Sequence, residues 1–322
     1  MPSYYIAADG GGSKLQAILY DDSFRILRSG CVAGVNTLFK PKDVVQKNID
    51  SMIRDLLTEE NGAPRVPSLK AADLCMVGAG DIMRQALERY TTVENVCFRS
   101  EPIVGLAAAF KTQGAVALSG TGSDAFFVKD GMIQSSVGGW GPLLGDEGSG
   151  YDIGLRTLKA AIYASEGRGE KTAIYDLVME KWDLPNLWGI VTHLAGNPDA
   201  RHEVASAARL CAKAAAAGDR VALRIYEIAA LEMVYQTRTV IDRHENDWDG
   251  SVVIMGGSWK GHPSMFGIFK HEIELLYPGA TVHRPCFEPV VGCAVLRCLH
   301  EGLQIQSQRD ALVNGFSQFL YP

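Results

Sequence analysis

The sequence lacks the cysteine spacing that would indicate a metal cluster or a disulfide framework. Its seven cysteines are an odd number, lie far apart for the most part, and include no Cys-x-x-Cys pair. Paired cysteines at that spacing are typical of zinc sites and redox motifs, and an even set is typical of small secreted domains. We therefore expect reduced thiols and a cytoplasmic protein.

Features of membrane and nucleic-acid proteins are also missing. No apolar run approaches the roughly 20 residues that cross a bilayer, and the N-terminus shows no basic segment followed by an apolar core. The 31 basic residues are dispersed among 37 acidic ones, which gives a net charge of −6. A nucleic-acid binder usually carries a basic patch. We expect a soluble protein with neither a membrane nor a nucleic-acid partner.

The sequence does contain a repeated pattern of strand, glycine turn and strand. Each copy is followed by mixed helices and strands, and the second copy begins about a third of the chain after the first. The strands predicted in the two copies are 4–8, 15–20 and 26–30, then 114–118 and 125–128. The 322 residues are enough for two domains. We predict two α/β domains, 1–113 and 114–302, with a helical tail at 303–322 that packs back on the first.

Periodicity and turn signals predict the remaining elements. The predicted helices are 42–59, 82–90, 104–111, several between 151 and 244 with a break at Gly218-Asp219, one ending at 277, and 291–299. The predicted strands are 74–78, 93–98, 252–255 and 281–284.

Both glycine turns have the composition of an anion-binding loop. They read Asp9-Gly10-Gly11-Gly12-Ser13 and Ser119-Gly120-Thr121-Gly122-Ser123. Successive backbone N–H groups in such a turn can point into one concavity and bind phosphate. A single turn of this kind is weak evidence, since glycine serves many structural turns; two at equivalent places are stronger. Asp9 would add a carboxylate for Mg²⁺, although it could instead order the loop as an Asx-turn.

Two further stretches are rich in glycine. The pair Gly256-Gly257 ends a predicted strand, where a base or ribose could lie against the backbone or where the chain simply turns. The stretch GGWGPLLGDEGSG, residues 138–150, surrounds Trp140 and Asp146 with glycine. Its large apolar residues argue against disorder, so a loop whose backbone approaches a ligand is the preferred interpretation.

Taken together, these motifs resemble the N-acetylglucosamine kinase branch of the BadF/BadG/BcrA/BcrD ATPase family, within the sugar kinase/Hsc70/actin superfamily. The similarity rests on DGGGSK, LSGTGSDAFFV, IMGGSWK and, most specifically, GGWGPLLGDEGSG, and it spans nearly the whole chain. It implies an α/β fold of two ribonuclease H-like (actin-like ATPase) domains, with ATP and a hexose in an interdomain cleft that closes on the sugar. It also implies Mg²⁺ as cofactor and, commonly, a homodimer.

The resemblance also implies roles for individual residues. Those matching the nucleotide-binding positions are Gly11, Gly12, Ser13, Lys14, Gly120, Thr121, Gly122, Ala215, Gly256 and Gly257, with Asp9 at the metal. Those matching the amino-sugar contacts are Asn36, Gly139, Trp140, Gly141 and Asp146. Without the resemblance, Asn36 would be read as a turn residue after Gly34.

One position departs from the family pattern. Where its N-acetylglucosamine kinases carry an aspartate as catalytic base, this chain has Glu101. Glutamate can deprotonate a hydroxyl, but its extra methylene moves the carboxylate by about a bond length, and such displacements matter in catalysis. A structural pair between Glu101 and Arg99 is the alternative.

The predicted function is ATP-dependent phosphorylation of an amino sugar, foremost N-acetylglucosamine to its 6-phosphate. Glucosamine or N-acetylmuramate would be a close variant. A BadF-type ATPase that activates a dehydratase needs cysteines for an iron–sulfur cluster placed after glycine turns, whereas these cysteines fall in predicted strands and helices. A sugar sensor acting on DNA would need a helix-turn-helix, and only a few residues precede the first predicted strand.

Overall fold

The computed structural model describes residues 2–322, which form ten strands and twelve α-helices. The strands are β1 (Tyr4–Gly10), β2 (Lys14–Asp21), β3 (Ile26–Ala33), β4 (Leu69–Met76), β5 (Val93–Phe98), β6 (Gly114–Ser119), β7 (Ser123–Lys129), β8 (Met132–Gly138), β9 (Ser251–Met255) and β10 (Thr281–His283). The helices are α1 (Lys42–Leu57), α2 (Gly80–Tyr90), α3 (Glu101–Ala108), α4 (Gly150–Glu166), α5 (Ile174–Lys181), α6 (Gly189–Leu194), α7 (Ala200–Ser206), α8 (Ala208–Ala216), α9 (Arg220–Asp242), α10 (Pro263–Leu276), α11 (Pro289–His300) and α12 (Arg309–Gly315).

The strands form two sheets of identical connectivity. The first has the order β3-β2-β1-β4-β5 and the second, read in the same direction, β8-β7-β6-β9-β10. In each, three antiparallel strands are followed by two that run parallel to the central one. The predicted two-fold repeat and the α/β class are therefore confirmed. Strand β8 was not predicted, because its residues are largely exposed and polar and show no buried alternation.

Contacts divide the described chain into two compact units. One contains the residues up to Thr112 together with Arg284–Pro322, and the other contains Gln113–His283. The boundary near residue 113 falls where the sequence placed it. Helix α11, however, belongs to the first unit, whereas the predicted division put residues up to 302 in the second. The reason is that α11 buries most of its residues, Val290 to Val295 among them, against α3 and β1.

The sheet of the first unit is covered on both faces. Along β1, Tyr5 and Ala7 face the cluster that includes α3, α11 and α12, while Ile6 and Ala8 face the cluster that includes α1 and α2. Near-continuous burial of this kind is typical of a strand between two helical layers. The tail contributes Leu312 and Phe316 to the first cluster, although it is helical only over α12 and a short 3-10 turn at Ser317–Phe319.

The second unit has one large core between its sheet and the long helices. Helix α9 begins where a break was predicted: Gly218 has φ +84°, and the Asp219 side chain accepts a hydrogen bond from the Ala222 N–H. That side chain also accepts from Thr172 and from the backbone of Ala173, which fixes the start of α5. None of the helices in residues 2–322 combines the length and the hydropathy that a membrane span requires.

Helices α3 and α11 approach each other closely through Gly292. A Cβ built on Gly292 would lie 2.2 Å from the Val104 carbonyl oxygen, a backbone atom of α3. A backbone atom cannot rotate away, so a side chain at this position would force the two helices apart.

We predict that Gly292→Ala lowers the free energy of unfolding by about 1–3 kcal/mol, as overpacking of a well-filled core does. Urea denaturation followed by circular dichroism measures this. The matched control is Gly267→Ala in α10, where the added Cβ meets nothing within 4 Å. The control is expected to be neutral or stabilising by up to about 1 kcal/mol, because alanine loses less entropy in a helix. Equal effects of the two substitutions would contradict the packing argument.

Candidate functional site

In the first unit, the predicted phosphate turn lies at the carboxyl end of the parallel strands. Strands β1, β4 and β5 are parallel, so the segments after Gly10, Met76 and Phe98 leave the same edge of the sheet. This edge is where open α/β sheets bind ligands. The glycine turn is tied to its neighbours, because the Val77 N–H donates to the Gly10 carbonyl and the Val35 N–H donates to the Gly11 carbonyl.

Asp9 is the next-to-last residue of β1, at this edge of the sheet, and is half-buried. Burial raises the pKa of Asp9 to about 6, and the opposing effects of Cys75 and Lys14 only partly offset it. A carboxylate that has lost water in this way is stabilised by an added cation. Within residues 2–322 no three His, Cys, Asp or Glu side chains form a metal cluster, so a metal here would need ligands beyond the protein.

The other turn residues leave room for a ligand. A Cβ on Gly11 would meet nothing within 4 Å. Lys14 is exposed, with its Nζ 3.0 Å from Gln16 Oε1 and 3.8 Å from Glu288 Oε2. The backbone of Gly12 packs closely against Gly34, where an added Cβ would lie 2.0 Å from the Gly12 carbonyl oxygen. One side of the turn is thus supported, and the other is open.

Asn36 is buried, and its side chain orders its own loop. The Oδ1 atom accepts a hydrogen bond from the Leu38 N–H at 2.9 Å, which is an Asx-turn. The next residue, Thr37, donates from Oγ1 to the Gly78 carbonyl, so this loop is joined to the one after β4. The turn role that the sequence left open is present. A contact of Asn36 with sugar stays a prediction.

Glu101 is the first residue of α3, not the end of a strand, since β5 ends at Phe98. A carboxylate at a helix N-terminus is stabilised by the free N–H groups of the first turn. Glu101 and Asp9 both lie close enough to Cys75 for their charges to act on it: burial first, and then the charges of Asp9 and Glu101 among others, raise the pKa of that thiol well above its usual value. The predicted base and the predicted metal ligand therefore act on the same buried thiol.

Arg99, the proposed structural partner of Glu101, is bound to a different carboxylate. Its Nε donates to Asp73 Oδ1 at 2.7 Å, and a second nitrogen of the same guanidinium reaches that oxygen. Arg297 of α11 donates to the other oxygen, Oδ2, at 2.8 Å. Asp73 is fully buried on β4, so this group of three charges fixes the segment between β5 and α3 that carries Glu101.

In the second unit, three of the predicted segments are bonded together. The Gly150 N–H donates to the Gly120 carbonyl, and the Ser119 and Ser123 hydroxyls donate to the carbonyls of Gly148 and Glu147. Ser258 also donates to the Gly120 carbonyl. The second phosphate turn, the loop 138–150 and the Gly256-Gly257 turn thus form one continuous surface at the carboxyl ends of β6 and β9.

Asp146 is almost fully buried, at 3% exposure, and has φ +60°. Its Oδ2 is 3.0 Å from Arg201 Nη2 on α7, and its Oδ1 accepts from the Ser123 N–H at 3.4 Å. The sequence predicted this carboxylate as an acceptor for sugar hydroxyls. In the structure it joins the loop to α7 and to the phosphate turn, and a sugar contact would use its remaining lone pairs.

The tip of the loop projects into solvent. Trp140 is 74% exposed, and Leu143 and Leu144 are 92% and 78% exposed. Gly141 has φ +82° and open space around its Cα, whereas Gly139, with φ +71°, lies against Asp124: a Cβ on Gly139 would be 2.5 Å from Asp124 Oδ2. The loop therefore offers an exposed aromatic face and open backbone, and its contact with a sugar stays a prediction.

Ala215 and the Gly256-Gly257 pair, the remaining predicted neighbours of the nucleotide, lie in different surroundings. Ala215 is buried in α8 within the core of the second unit. Gly256, with φ +106°, lies so close to the Ser119 carbonyl that a Cβ would be 2.3 Å away, while Gly257 has open space. Trp259, two residues after Gly257, is a core residue whose Nε1 donates to the carbonyls of Ala117 and Met255.

Sequence reasoning missed four charged residues that shape these surfaces, namely Asp73, Arg297, Arg201 and Asp124. For two of them the sequence held a signal: Asp73 and Arg297 are charged residues within the largely apolar elements β4 and α11. Charged residues are rarely buried without a partner. Their partners are far away in sequence. Six cysteines lie in strands or helices as predicted, but Cys286 lies in the segment before α11.

Comparison with known proteins gives a family match over most of the chain. The BadF/BadG/BcrA/BcrD ATPase family matches residues 8–296. The N-acetylmuramic acid/N-acetylglucosamine kinase of Clostridium acetobutylicum is 26% identical over 247 residues, covering 74% of this chain and 79% of that protein. The N-acetyl-D-glucosamine kinase of Dictyostelium discoideum is 25% identical over 311 residues, covering 91% and 97%.

A solved structure supports the fold. The crystal structure of a ROK family glucokinase from Streptomyces griseus, in complex with glucose and AMPPNP, is similar with a TM-score of 0.62. The identity is 14%, and the alignment covers 91% of this chain and 99% of that one. The similarity extends over both units and is consistent with the two equivalent sheets.

We predict that Asp9→Asn stabilises the protein at pH 7–8 by about 1–3 kcal/mol. The pKa of Asp9 is raised in the folded state, so between about pH 4 and 6 the folded protein binds more protons than the unfolded chain, and stability is lost as the pH rises. The gain from the substitution should therefore disappear near pH 4. Thermal unfolding across this range measures it, with Glu60→Gln, the same change at an exposed carboxyl, as control. A gain in the free energy of unfolding that does not vary with pH would contradict the raised pKa of Asp9.

Proposed function

Because the chain belongs to the BadF/BadG/BcrA/BcrD ATPase family, we propose that it is an ATP-dependent kinase that phosphorylates an amino sugar. The observation that carries the proposal is the joining of the Gly120–Gly122 turn to the loop 138–150. One is a turn suited to phosphate, and the other presents an aromatic face and open backbone suited to a sugar. The activities in the names of the two relatives support N-acetylglucosamine as the first substrate to test. Its 6-hydroxyl is the acceptor expected from the sequence.

In this proposal, both glycine turns bind phosphate. Gly11, Gly12, Ser13 and Lys14 are the proposed ATP-binding residues of the first turn, and Gly120, Thr121 and Gly122 are those of the second. Ala215, Gly256 and Gly257 border the adenosine. The support for the first turn is its open side and the exposed ammonium of Lys14.

Asp9 fits a site for Mg²⁺. Its carboxylate has lost water and gains from a cation, and Mg²⁺ is usually held by one or two carboxylates together with substrate phosphates. The ion would neutralise phosphate charge when bound. A cytoplasmic location and a homodimer stay predictions of the sequence.

Glu101 is proposed as the base. The sugar hydroxyl oxygen bonds to the γ-phosphorus, the bond from that phosphorus to the bridging oxygen of ADP breaks, and the hydroxyl proton passes to the Glu101 carboxylate. Asp73 supports this role indirectly, because its pairs with Arg99 and Arg297 fix the segment before α3. Asn36, Gly139, Trp140, Gly141 and Asp146 are proposed to bind the sugar.

The alternative of an ATPase that activates a dehydratase has less support. Of the seven cysteines, Cys75, Cys211, Cys293 and Cys298 are buried and only Cys31 is exposed. A cluster shared between two subunits needs thiols at an accessible surface after glycine turns, and the thiols near the turns, such as Cys75, are buried instead.

The direct test is an ADP-release assay with purified protein over N-acetylglucosamine, glucosamine, N-acetylmuramate, N-acetylmannosamine and glucose. Sugar-dependent ADP release with an amino sugar, and formation of its 6-phosphate by mass and NMR analysis, are expected. ATP hydrolysis that no sugar stimulates would contradict the proposal.

For the base, we predict that Glu101→Gln lowers kcat by about 10²–10⁴-fold with little change in the sugar KM, since general-base catalysis contributes that much. Glu101→Asp keeps the charge and should retain more activity than the glutamine variant. The control is Glu94→Gln, at an exposed position of β5. A kcat equal to wild type in Glu101→Gln would remove Glu101 from the chemistry.

For the second phosphate turn, we predict that Thr121→Val raises the ATP KM and lowers kcat. A hydrogen bond to a charged group contributes about 1.5–3 kcal/mol, which corresponds to a loss of roughly tenfold to a hundredfold. Sugar affinity, measured by calorimetry, should be unchanged. Thr281→Val, at an exposed position of the edge strand β10, is the control. Unaltered ATP kinetics in Thr121→Val would place Thr121 outside the site.

A further inference from the structure

We propose that Asp124 determines which amino sugar is preferred: its carboxylate favours a sugar that carries a free ammonium group over one whose nitrogen is acetylated. This inference rests on the proposed function, because it takes the loop 138–150 to be the sugar site. It concerns the relative preference for glucosamine and N-acetylglucosamine, and it leaves open that both are phosphorylated.

The first observation is the position of the carboxyl group. Asp124 lies at the start of β7, paired with Leu118 of β6 and Gly138 of β8. The loop leaves β8 beside it, since the Gly139 N–H donates to the Ser123 carbonyl. A Cβ on Gly139 would lie 2.5 Å from Asp124 Oδ2. Only a glycine, and one with positive φ, lets this carboxyl lie directly behind the loop backbone.

The second observation is that one oxygen has no donor. Asp124 Oδ1 is buried and has no hydrogen-bond partner among residues 2–322. Buried polar atoms are nearly always satisfied, and the exceptions call for an explanation. A donor supplied by a ligand at the adjoining loop would satisfy this oxygen.

The third observation is the balance of charge around the group. Asp146, the neighbouring acid, is paired with Arg201, whereas no arginine or lysine of the described residues pairs with Asp124. The side chain that α9 contributes beside Gly138 is the neutral Gln236. Burial, and to a lesser extent the charge of Asp146, raise the pKa of Asp124 to about 7, although the backbone N–H groups of Ala125 and Val137 oppose this.

These observations favour a cationic ligand group. A primary ammonium brings three donors and a positive charge, so it both satisfies Oδ1 and compensates the carboxylate. An acetamide brings one N–H donor, no charge, and a larger volume beside Gly139. Hydrogen bonds between charged partners are about twice as strong as neutral ones, so the carboxylate should distinguish the two sugars.

The experiment compares glucosamine and N-acetylglucosamine with wild-type protein and with Asp124→Asn, a substitution that keeps the shape and removes the charge. At pH 7.5 the ratio of kcat/KM for glucosamine to that for N-acetylglucosamine should fall by about tenfold in the variant. Calorimetric binding of each sugar, without ATP, should show the same change in the ratio of the two Kd values.

Asp130→Asn is the matched control. Asp130 is exposed in the turn between β7 and β8, at the opposite end of the same hairpin, and its φ of +52° is one that asparagine tolerates. This control should leave both sugars unaffected. Circular dichroism confirms that each variant is folded. If Asp124→Asn does not fold, Asp124→Ser and the pH dependence of the wild type provide the same test.

The wild-type pH dependence has a defined sign. Asp124 is ionised above about pH 7 and neutral below it, so the preference for glucosamine should decrease from pH 7.5 to pH 6. The variant, which lacks this titration, should show a smaller change. A preference that is independent of pH in the wild type, or an unchanged ratio in Asp124→Asn, overturns the proposal.

Binding separates this proposal from the proposed function. If the ratio of Kd values changes as expected but neither sugar is phosphorylated, the kinase assignment fails and the role of Asp124 stands. Should both sugars be phosphorylated with an unchanged ratio, the role of Asp124 fails and the kinase assignment stands. Absence of binding to either sugar would overturn the role of Asp124, and the ADP-release assay with the other sugars would decide the kinase assignment.

Discussion

The arrangement of each sheet depends on one constraint, which is that its central strand pairs antiparallel on one side and parallel on the other. The antiparallel side requires a tight turn at the carboxyl end of β1 and of β6. The parallel side brings the ends of β4 and β5, or of β9 and β10, to the same edge. A glycine turn is therefore always next to the segments that follow the parallel strands. The candidate phosphate and sugar segments lie at these edges because the topology leaves the chain no other exit.

Buried charge then fixes the segments that leave the edge. Asp73 is fully buried and satisfied by two guanidiniums; removal of either would leave a charge with fewer partners in a dry environment. Asp146 does the same for the loop 138–150 through Arg201. Of these paired residues only Asp146 is proposed to contact the sugar, and the pairs determine where Glu101 and Trp140 lie. A rigid loop is useful for a kinase, because small displacements of a catalytic group are costly.

Two carboxyl groups, in contrast, are left unfavourably placed. Burial raises the pKa of Asp9 to about 6 and that of Asp124 to about 7, so each carries a cost in the folded protein that a ligand would relieve. Residues with shifted pKa values are common at functional sites, and structural ion-pair networks also contain them. Here each group lies beside a glycine-rich turn or loop, Asp9 at the first phosphate turn and Asp124 behind Gly139. The cost in stability therefore falls on the residues that the proposed reaction uses.

The sequence by itself determined the repeated meander, the two glycine turns, the helix break at Gly218-Asp219 and the position of the loop 138–150. These features depend on neighbours within a few residues: alternating burial, positive φ at glycine, and a side chain capping the next turn. Only the tertiary structure decided the partners of Arg99 and Asp146, the return of α11 to the first unit and the placement of Asp124. The ion pairs join residues that are 26, 55 and 224 positions apart, and which of several equivalent charges pair across such distances is set by the packing of whole helices and strands.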